Sequence, residues 1–187
     1  MGLENISLFV HSAFRDFFSL GEIAPSSHFS AKGVVKHGRI STAKRILEIG
    51  PGMGPFTKEI LRVAPGAAEI VVIDKNPDFI EFLKKDMADT RLVAICADII
   101  TVPSEELGVF DSIISSIPLS LLGCAEKISF SEKIHRLLKP GGVFTKAQYS
   151  LSNIQYFKEK GFGPIKWSLE FRNLPPIFIY SCQKNLS

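Results

Sequence analysis

Glu48, Gly50, Gly52 and Gly54 recur at every second residue of the stretch LEIGPGMG, where an apolar run ends. Glycines at that spacing permit positive φ and let a ligand lie against the backbone. A helical pattern starts near Pro55, so its N-terminus points at the same place. Two further acids close later apolar runs. EIVVIDKNP ends its run on Asp74, a place for a carboxylate to accept hydrogen bonds from two ribose hydroxyls. AICADII ends its run on Asp98, which also reads as an ordinary helix-starting residue. The spacing excludes two phosphate loops. A dinucleotide loop needs G-x-G-x-x-G, but the sixth position is Pro55 counted from Gly50 and Thr57 counted from Gly52. A P-loop fails too, because no Gly-Lys-Ser/Thr follows. A turn with no ligand is the bland alternative.

The elements that must position these residues follow from periodicity. Strands are predicted over Arg45–Gly50, Glu69–Asp74, Leu92–Ala97, Phe110–Ile117, Val143–Tyr149, Lys166–Phe171 and Ile177–Cys182. Helices are predicted over Phe56–Val63, Pro77–Ala88, Leu121–Leu138 and Asn153–Lys160. The first four strands are continuous and rich in Ile and Val, as strands buried on both faces are. Alternating strands and helices predict a doubly wound α/β domain over 45–187, whose ligand sits at the carboxyl ends of the strands. The last two strands are joined only by FRNLPP and predict a terminal antiparallel hairpin.

Residues 1–44 read differently. LENISLFVHSAFRDFFSL carries a helical apolar stripe through Leu3, Ile6, Val10, Ala13, Phe14, Phe17 and Leu20. GEIAPSSHFSAKGVV follows as a Pro/Ser turn into a short helix. Two readings stand side by side: a helical lid on the sheet domain, or an amphipathic helix lying on a membrane interface.

Composition narrows the classes. The 187 residues fit one domain, and the net charge of +3 is mildly basic. That falls short of the dense Lys/Arg surface of a dedicated nucleic-acid binder but favours an anionic surface. Apolar runs stay below the roughly 20 residues of a membrane span. Glu4, His11, Arg15 and Asp16 break any signal-peptide pattern. Cys96, Cys124 and Cys182 are far apart in apolar settings and read as buried free thiols in a reducing cytosol. His11, His28 and His37 are not spaced as ligands, and His135 reads as a helix-face residue, so no metal is expected.

An acid followed by three glycines at alternate positions resembles the first motif of S-adenosylmethionine-dependent methyltransferases. LLKPGGVF, closing the long helix and opening the fifth strand, fits the same fold. The resemblance implies a Rossmann-like class I methyltransferase: a seven-stranded, mainly parallel sheet with a terminal antiparallel hairpin and an N-terminal helical extension. It implies S-adenosylmethionine as cofactor, held by Glu48, Gly50, Gly52 and Gly54, by Asp74 with Lys75 and Asn76, by Ala97, Asp98 and Ile99, and by Ser115. Asp98 would lie near the adenine amine.

FDSIISSIPLSLL bears on the acceptor. Nucleic-acid amino-methyltransferases commonly place Asn-x-Pro-aromatic after the fourth strand. Here Ser116 stands for the Asn and Leu119 for the aromatic. A flipped base would lose a stacking platform worth about 1–3 kcal/mol. HSAF, GEIAPSS, SSIPLSLL, QYS and RNLPP together resemble the bacterial phospholipid N-methyltransferases, which share a scaffold with the rRNA adenine dimethylases. The chain departs from them at Ser116, where Gly is expected, and at AQYS, where a Thr-Tyr-Gly stretch is expected.

That resemblance implies methylation of the amine of phosphatidylethanolamine, with successive methylations toward phosphatidylcholine. Ser116 and Pro118 would receive the amine. Tyr149 would orient the amine or phosphate, or else be a rim tyrosine. Ser26 and Ser27 would bond cofactor or head group, or else cap a helix. Arg172 and Asn173 would bind lipid phosphate, or else form a plain hairpin turn. The expected partner is a phospholipid surface on the inner face of the cell membrane, reached by a cytoplasmic, peripheral monomer, with no nucleic acid. Two other readings are an RNA adenine methyltransferase and a cofactor-binding protein without catalysis.

Overall fold

The computed structural model describes residues 28–149, 151, 153–158, 160–173 and 176–186. The Phe-rich N-terminal stripe, Ser26 and Ser27 lie outside them. Seven strands alternate with helices in chain order. Helix α1 (His28–His37) precedes β1 (Arg45–Ile49), α2 (Pro55–Val63), β2 (Glu69–Asp74), α3 (Pro77–Asp86) and β3 (Leu92–Cys96). Then come α4 (Ser104–Leu107), β4 (Phe110–Ser115), α5 (Cys124–Leu137), β5 (Leu138–Gln148), α6 (Gln155–Lys158), β6 (Lys166–Glu170) and β7 (Ile177–Gln183).

The strand order is β3-β2-β1-β4-β5-β7-β6. The first five strands of that order are parallel, and β7 runs antiparallel to both β5 and β6. The terminal hairpin is therefore present, with β7 inserted beside β5 and β6 left at the edge. Strand order reverses between β1 and β4, so their carboxyl ends frame the crevice where such sheets bind ligands.

Side-chain alternation divides the sheet into two cores. Leu47, Ile49, Val71, Ile73, Ile113 and Phe144 face one side, with Phe130, Ile134 and Phe157 from α5 and α6. Ile46, Ile70, Val72, Ile114 and Ile179 face the other, with Val34, Val35, Phe56, Ile60 and Leu83 from α1–α3. On the first side the Phe144 and Phe157 rings stack at 4.7 Å, and Tyr180 closes edge-on to Phe144 at 6.4 Å. On the second side α1 lies close to β7, since a Cβ added to Gly33 would stand 2.3 Å from Ile179 Cδ1.

Several expectations are corrected. The helix expected from Leu121 starts at Cys124, after a 3₁₀ turn at Leu119–Leu121. The Glu126 carboxylate accepts the Gly123 N–H at 2.7 Å and sets that start. The helix expected over Asn153–Lys160 contracts to Gln155–Lys158. Strand β5 begins earlier than expected, because Leu138 already pairs with Phe110. Strand β3 is not buried on both faces: it is the edge beyond β2, and Val93 is exposed. The thiols are not all buried, because Cys96 ends that edge strand and Cys124 opens α5, both exposed; only Cys182 is buried.

Candidate active site

The ends of β2, β1 and β4 are stitched into steps by the backbone. Gly50 N–H donates to Ile73 O, and Ser116 N–H donates to Ile49 O, each at 2.9 Å. Ala97 N–H donates to Asp74 O at 3.0 Å and ties in β3. These bonds place Glu48, the glycine loop, Asp74, Asp98 and Ser116 along one edge.

The three loop glycines share positive φ but not one role. A Cβ on Gly50 would stand 2.9 Å from Ile117 Cγ1, so the loop touches the turn after β4. A Cβ on Gly54 would meet Met87 Cε at 2.2 Å, so that glycine packs α2 against α3. Of these three, Gly52 alone has nothing within 4 Å of such a Cβ among the described residues. It is the glycine that leaves open space.

Asp74 borders that space. Its Oδ1 accepts Asn76 N–H at 2.9 Å and its Oδ2 accepts Gly52 N–H at 3.4 Å. Burial pushes its carboxyl above the ordinary value, and the Asn76 and Gly52 bonds oppose the shift. The Asn76 side chain is occupied in capping α3 through Asp78 N–H at 2.9 Å. Lys75 is exposed beside it.

Glu48 is fully buried. Its Oε2 accepts the Thr57 hydroxyl at 2.7 Å, and its Oε1 has no hydrogen-bond partner among the described residues. Burial pushes its carboxyl up to about 8; the Thr57 bond opposes that shift and Asp74 adds to it. Glu48 is therefore mostly protonated at neutral pH and can offer an O–H.

Asp98 is exposed, and its Oδ1 accepts Ile100 N–H at 2.8 Å, starting a turn. Ile99 beside it is buried. Ser115 is fully buried, with Oγ accepting Ile117 N–H at 3.3 Å.

On the acceptor side, Pro118 opens the 3₁₀ turn Leu119–Leu121. Leu119 sits in the core beneath the sheet. The position where a base-stacking ring would stand is thus filled by an inward-facing aliphatic side chain. Tyr149 follows β5, and its hydroxyl is buried without a hydrogen-bond partner among the described residues. Register carries this edge to the hairpin: Gln148 pairs with Phe178, and Phe178 with Leu169. The turn at Phe171–Asn173 therefore lies at the same edge as Tyr149.

Arg172 has a different partner from the one expected. Its Nε and Nη2 donate to Glu170 Oε1 and Oε2, each at 2.8 Å, and its guanidinium lies 4.3 Å from the Phe29 ring centroid. It holds the Glu170 carboxyl down at about 2. Asn173 is buried.

Sequence reasoning missed Lys146. It is fully buried on β5, aligned with Ser115 of β4, and its Nζ donates to Ile117 O. The available signal was a lysine inside the apolar strand VFTKAQ. Among the described residues, no group of three or more His, Cys, Asp or Glu side chains could hold a metal ion.

The fold and site define a class I S-adenosylmethionine-dependent methyltransferase. Residues 46–142 match the family model described as a methyltransferase domain, which is more than half of the chain, and the chain belongs to that family. It is similar to the ornithine lipid N-methyltransferase of Singulisphaera acidiphila, at 25% identity over 97% of both chains. It also resembles the ubiquinone/menaquinone biosynthesis C-methyltransferase UbiE of a Geobacter species, at 29% identity over 67% of this chain and 54% of that one. Among solved structures it resembles the N-methyltransferase NodS of Bradyrhizobium japonicum in complex with S-adenosyl-L-homocysteine, with a TM-score of 0.66 at 15% identity over 83% and 87% of the two chains. That last likeness concerns the fold.

The residues present fit the cofactor. Gly52 leaves the loop open, Asp74 borders that opening with both carboxylate oxygens on backbone N–H groups, and Glu48 keeps one buried oxygen without a partner among the described residues. S-adenosylmethionine is the methyl donor of this enzyme class.

Proposed function

We propose that this enzyme methylates the primary amine of a membrane lipid head group, phosphatidylethanolamine first, with repeated rounds leading toward phosphatidylcholine. The observation that carries the reading is the acceptor turn Ser116–Leu119. It offers polar groups at Ser116 and a bend at Pro118, but Leu119 turns inward and gives no stacking face. A flipped base would forgo about 1–3 kcal/mol there, whereas an alkylamine needs no ring. The similarity to an ornithine lipid N-methyltransferase along nearly the whole chain supports a lipid amine, and makes ornithine lipid the second acceptor to test.

When bound, S-adenosylmethionine supplies an electrophilic methyl group. The chain's own residues then do the positioning. Asp74 takes ribose hydroxyls, Gly52 gives the loop room, and Glu48 offers a proton from its unpartnered side. The acceptor nitrogen must be unprotonated to attack, and an alkylammonium ordinarily titrates near 10. Enclosure at the turn disfavours its charged form and lowers that value. Ser116 receives the nitrogen, and the Tyr149 hydroxyl orients the head group. Holding the two reactants in line is the main catalytic contribution.

The membrane surface is part of the proposal. Among the described residues no helix is long and apolar enough to cross a bilayer. Contact with lipid is assigned to the amphipathic stripe of residues 3–20, aided by the net positive charge.

The test uses the full-length protein and S-adenosylmethionine carrying a labelled methyl group. It is incubated with vesicles containing phosphatidylethanolamine, with vesicles containing ornithine lipid, and with ribosomal RNA. Label in phosphatidylethanolamine supports the proposal. Label only in ornithine lipid moves the head-group assignment. Label only in RNA overturns the lipid reading.

A further inference from the structure

We infer that Lys146 is a positioning residue for methyl transfer: its ammonium fixes the Ile117 carbonyl and so seats the acceptor turn on the glycine loop. The inference rests on the reading above that an amine is received at Ser116–Pro118.

The placement is costly by ordinary standards. Lysine is almost never fully buried unless paired, and an aliphatic side chain would fill this strand position at far less desolvation cost. Lys146 is nevertheless fully buried, on the same sheet face as its register partner Ser115. Its Nζ reaches the turn that follows Ser115 and donates to Ile117 O.

Ile117 is then anchored at three points. Its N–H donates to Ser115 Oγ at 3.3 Å, and its carbonyl accepts from Lys146. Its side chain lies so close to Gly50 that a Cβ there would stand 2.9 Å away. Lys146, Ile117 and Gly50 form one chain of contact from β5, across β4, to the cofactor loop on β1. Because the ammonium occupies the Ile117 carbonyl, Ser116 is the group left to receive the acceptor nitrogen. The Pro118 carbonyl accepts Leu121 N–H at 3.2 Å, so Pro118 supplies the bend. Lys146 acts through this turn, and so governs how the acceptor stands relative to the loop rather than how tightly the cofactor binds.

The test compares Lys146→Met, which keeps length and removes the donor, with Lys146→Arg, which keeps a donor. Amide hydrogen exchange is followed at Ser116, Leu121 and Leu122, with S-adenosylhomocysteine present. Turnover on phosphatidylethanolamine vesicles and the Kd for S-adenosylhomocysteine are measured alongside. The inference expects Lys146→Met to exchange at least about tenfold faster at these amides only, since local opening is read amide by amide. It expects kcat to fall on the order of 10- to 100-fold, the scale of a small misplacement of reactants. The Kd should stay within about threefold, well under the 1.4 kcal/mol of a tenfold change. Lys146→Arg should recover most of the protection.

Wild-type protection and turnover in Lys146→Met would overturn the inference. So would faster exchange spread evenly over β1, β2 and β4, which marks general loosening. Should Lys146→Met not fold, Lys146→Leu carries the same comparison, since it also removes the donor. A wild-type enzyme that labels no lipid overturns the lipid-amine reading alone, because protection of the turn is read without an acceptor.

Discussion

The proposed donor and acceptor halves of the sheet edge are built in different ways. The donor half uses backbone and short acids: Gly50, Gly52 and Gly54 in one loop, with Asp74 taking N–H groups from Gly52 and Asn76. Every piece lies within five residues of a strand end. The acceptor half we propose is assembled from distant segments: Ser116–Leu121 after β4, and Lys146 and Tyr149 on or after β5. A shared methyl donor needs one fixed cradle, while the acceptor changes from enzyme to enzyme.

The largest test of this contrast is Gly52→Val set against Gly54→Ala. Gly52 has open space around it, so the added side chain strains a positive φ and fills the cofactor's room. S-adenosylhomocysteine affinity should fall on the order of 100-fold, about 2.8 kcal/mol, beside a stability cost of about 1–2 kcal/mol from the left-handed φ. Gly54→Ala places a Cβ against Met87 and Leu83, and should cost about 1–3 kcal/mol of stability by overpacking. Calorimetry and ligand titration on both variants check the split. Equal affinity losses with equal stability losses would erase the distinction between the two glycines.

A pH-dependent effect is expected at Glu48. Its carboxyl is pushed from an ordinary 4.5 up to about 8 by burial, so the folded state holds a proton that the unfolded chain releases. Its contribution to stability is complete below about 4.5 and is lost as pH rises through about 8. Glu48→Gln cannot release that proton. Urea unfolding from pH 5 to 9 should show wild type losing stability relative to Glu48→Gln across this window, with no further divergence above it. Parallel profiles would mean that Glu48 is ionised in the fold.

The smallest effect belongs to Arg172→Met. The Arg172 fork already holds Glu170, and the side chain is largely exposed. Exposed pairs contribute little to stability, so unfolding should shift by only a few degrees. The KM on phosphatidylethanolamine vesicles should change less than about threefold, below the 1.4 kcal/mol of a tenfold change. A rise beyond tenfold would restore Arg172 as a phosphate ligand and bring the hairpin turn into the acceptor half.

The same contrast explains what could be read from sequence. The glycine spacing, Asp74, the strands of the parallel sheet and the terminal hairpin are local patterns, and the structure shows them within a residue or two, apart from β5, which starts five residues early. Lys146 became visible only through the β4–β5 register, which brings it to a carbonyl 29 residues away. Leu119 read as a missing aromatic, but its inward burial depends on the 3₁₀ turn that Gly123 and Glu126 cut short. Cys96 looked buried because its strand is apolar, and it is exposed because that strand is the sheet edge. Composition does not say which strand has only one neighbour.

The most direct test of the central claim is mass analysis of lipid recovered from phosphatidylethanolamine vesicles after incubation with the wild-type enzyme and S-adenosylmethionine. The account predicts head groups heavier by one, two or three methyl groups, at a level that Gly52→Val abolishes. Unmodified phosphatidylethanolamine alongside methylated adenine in added ribosomal RNA would contradict it.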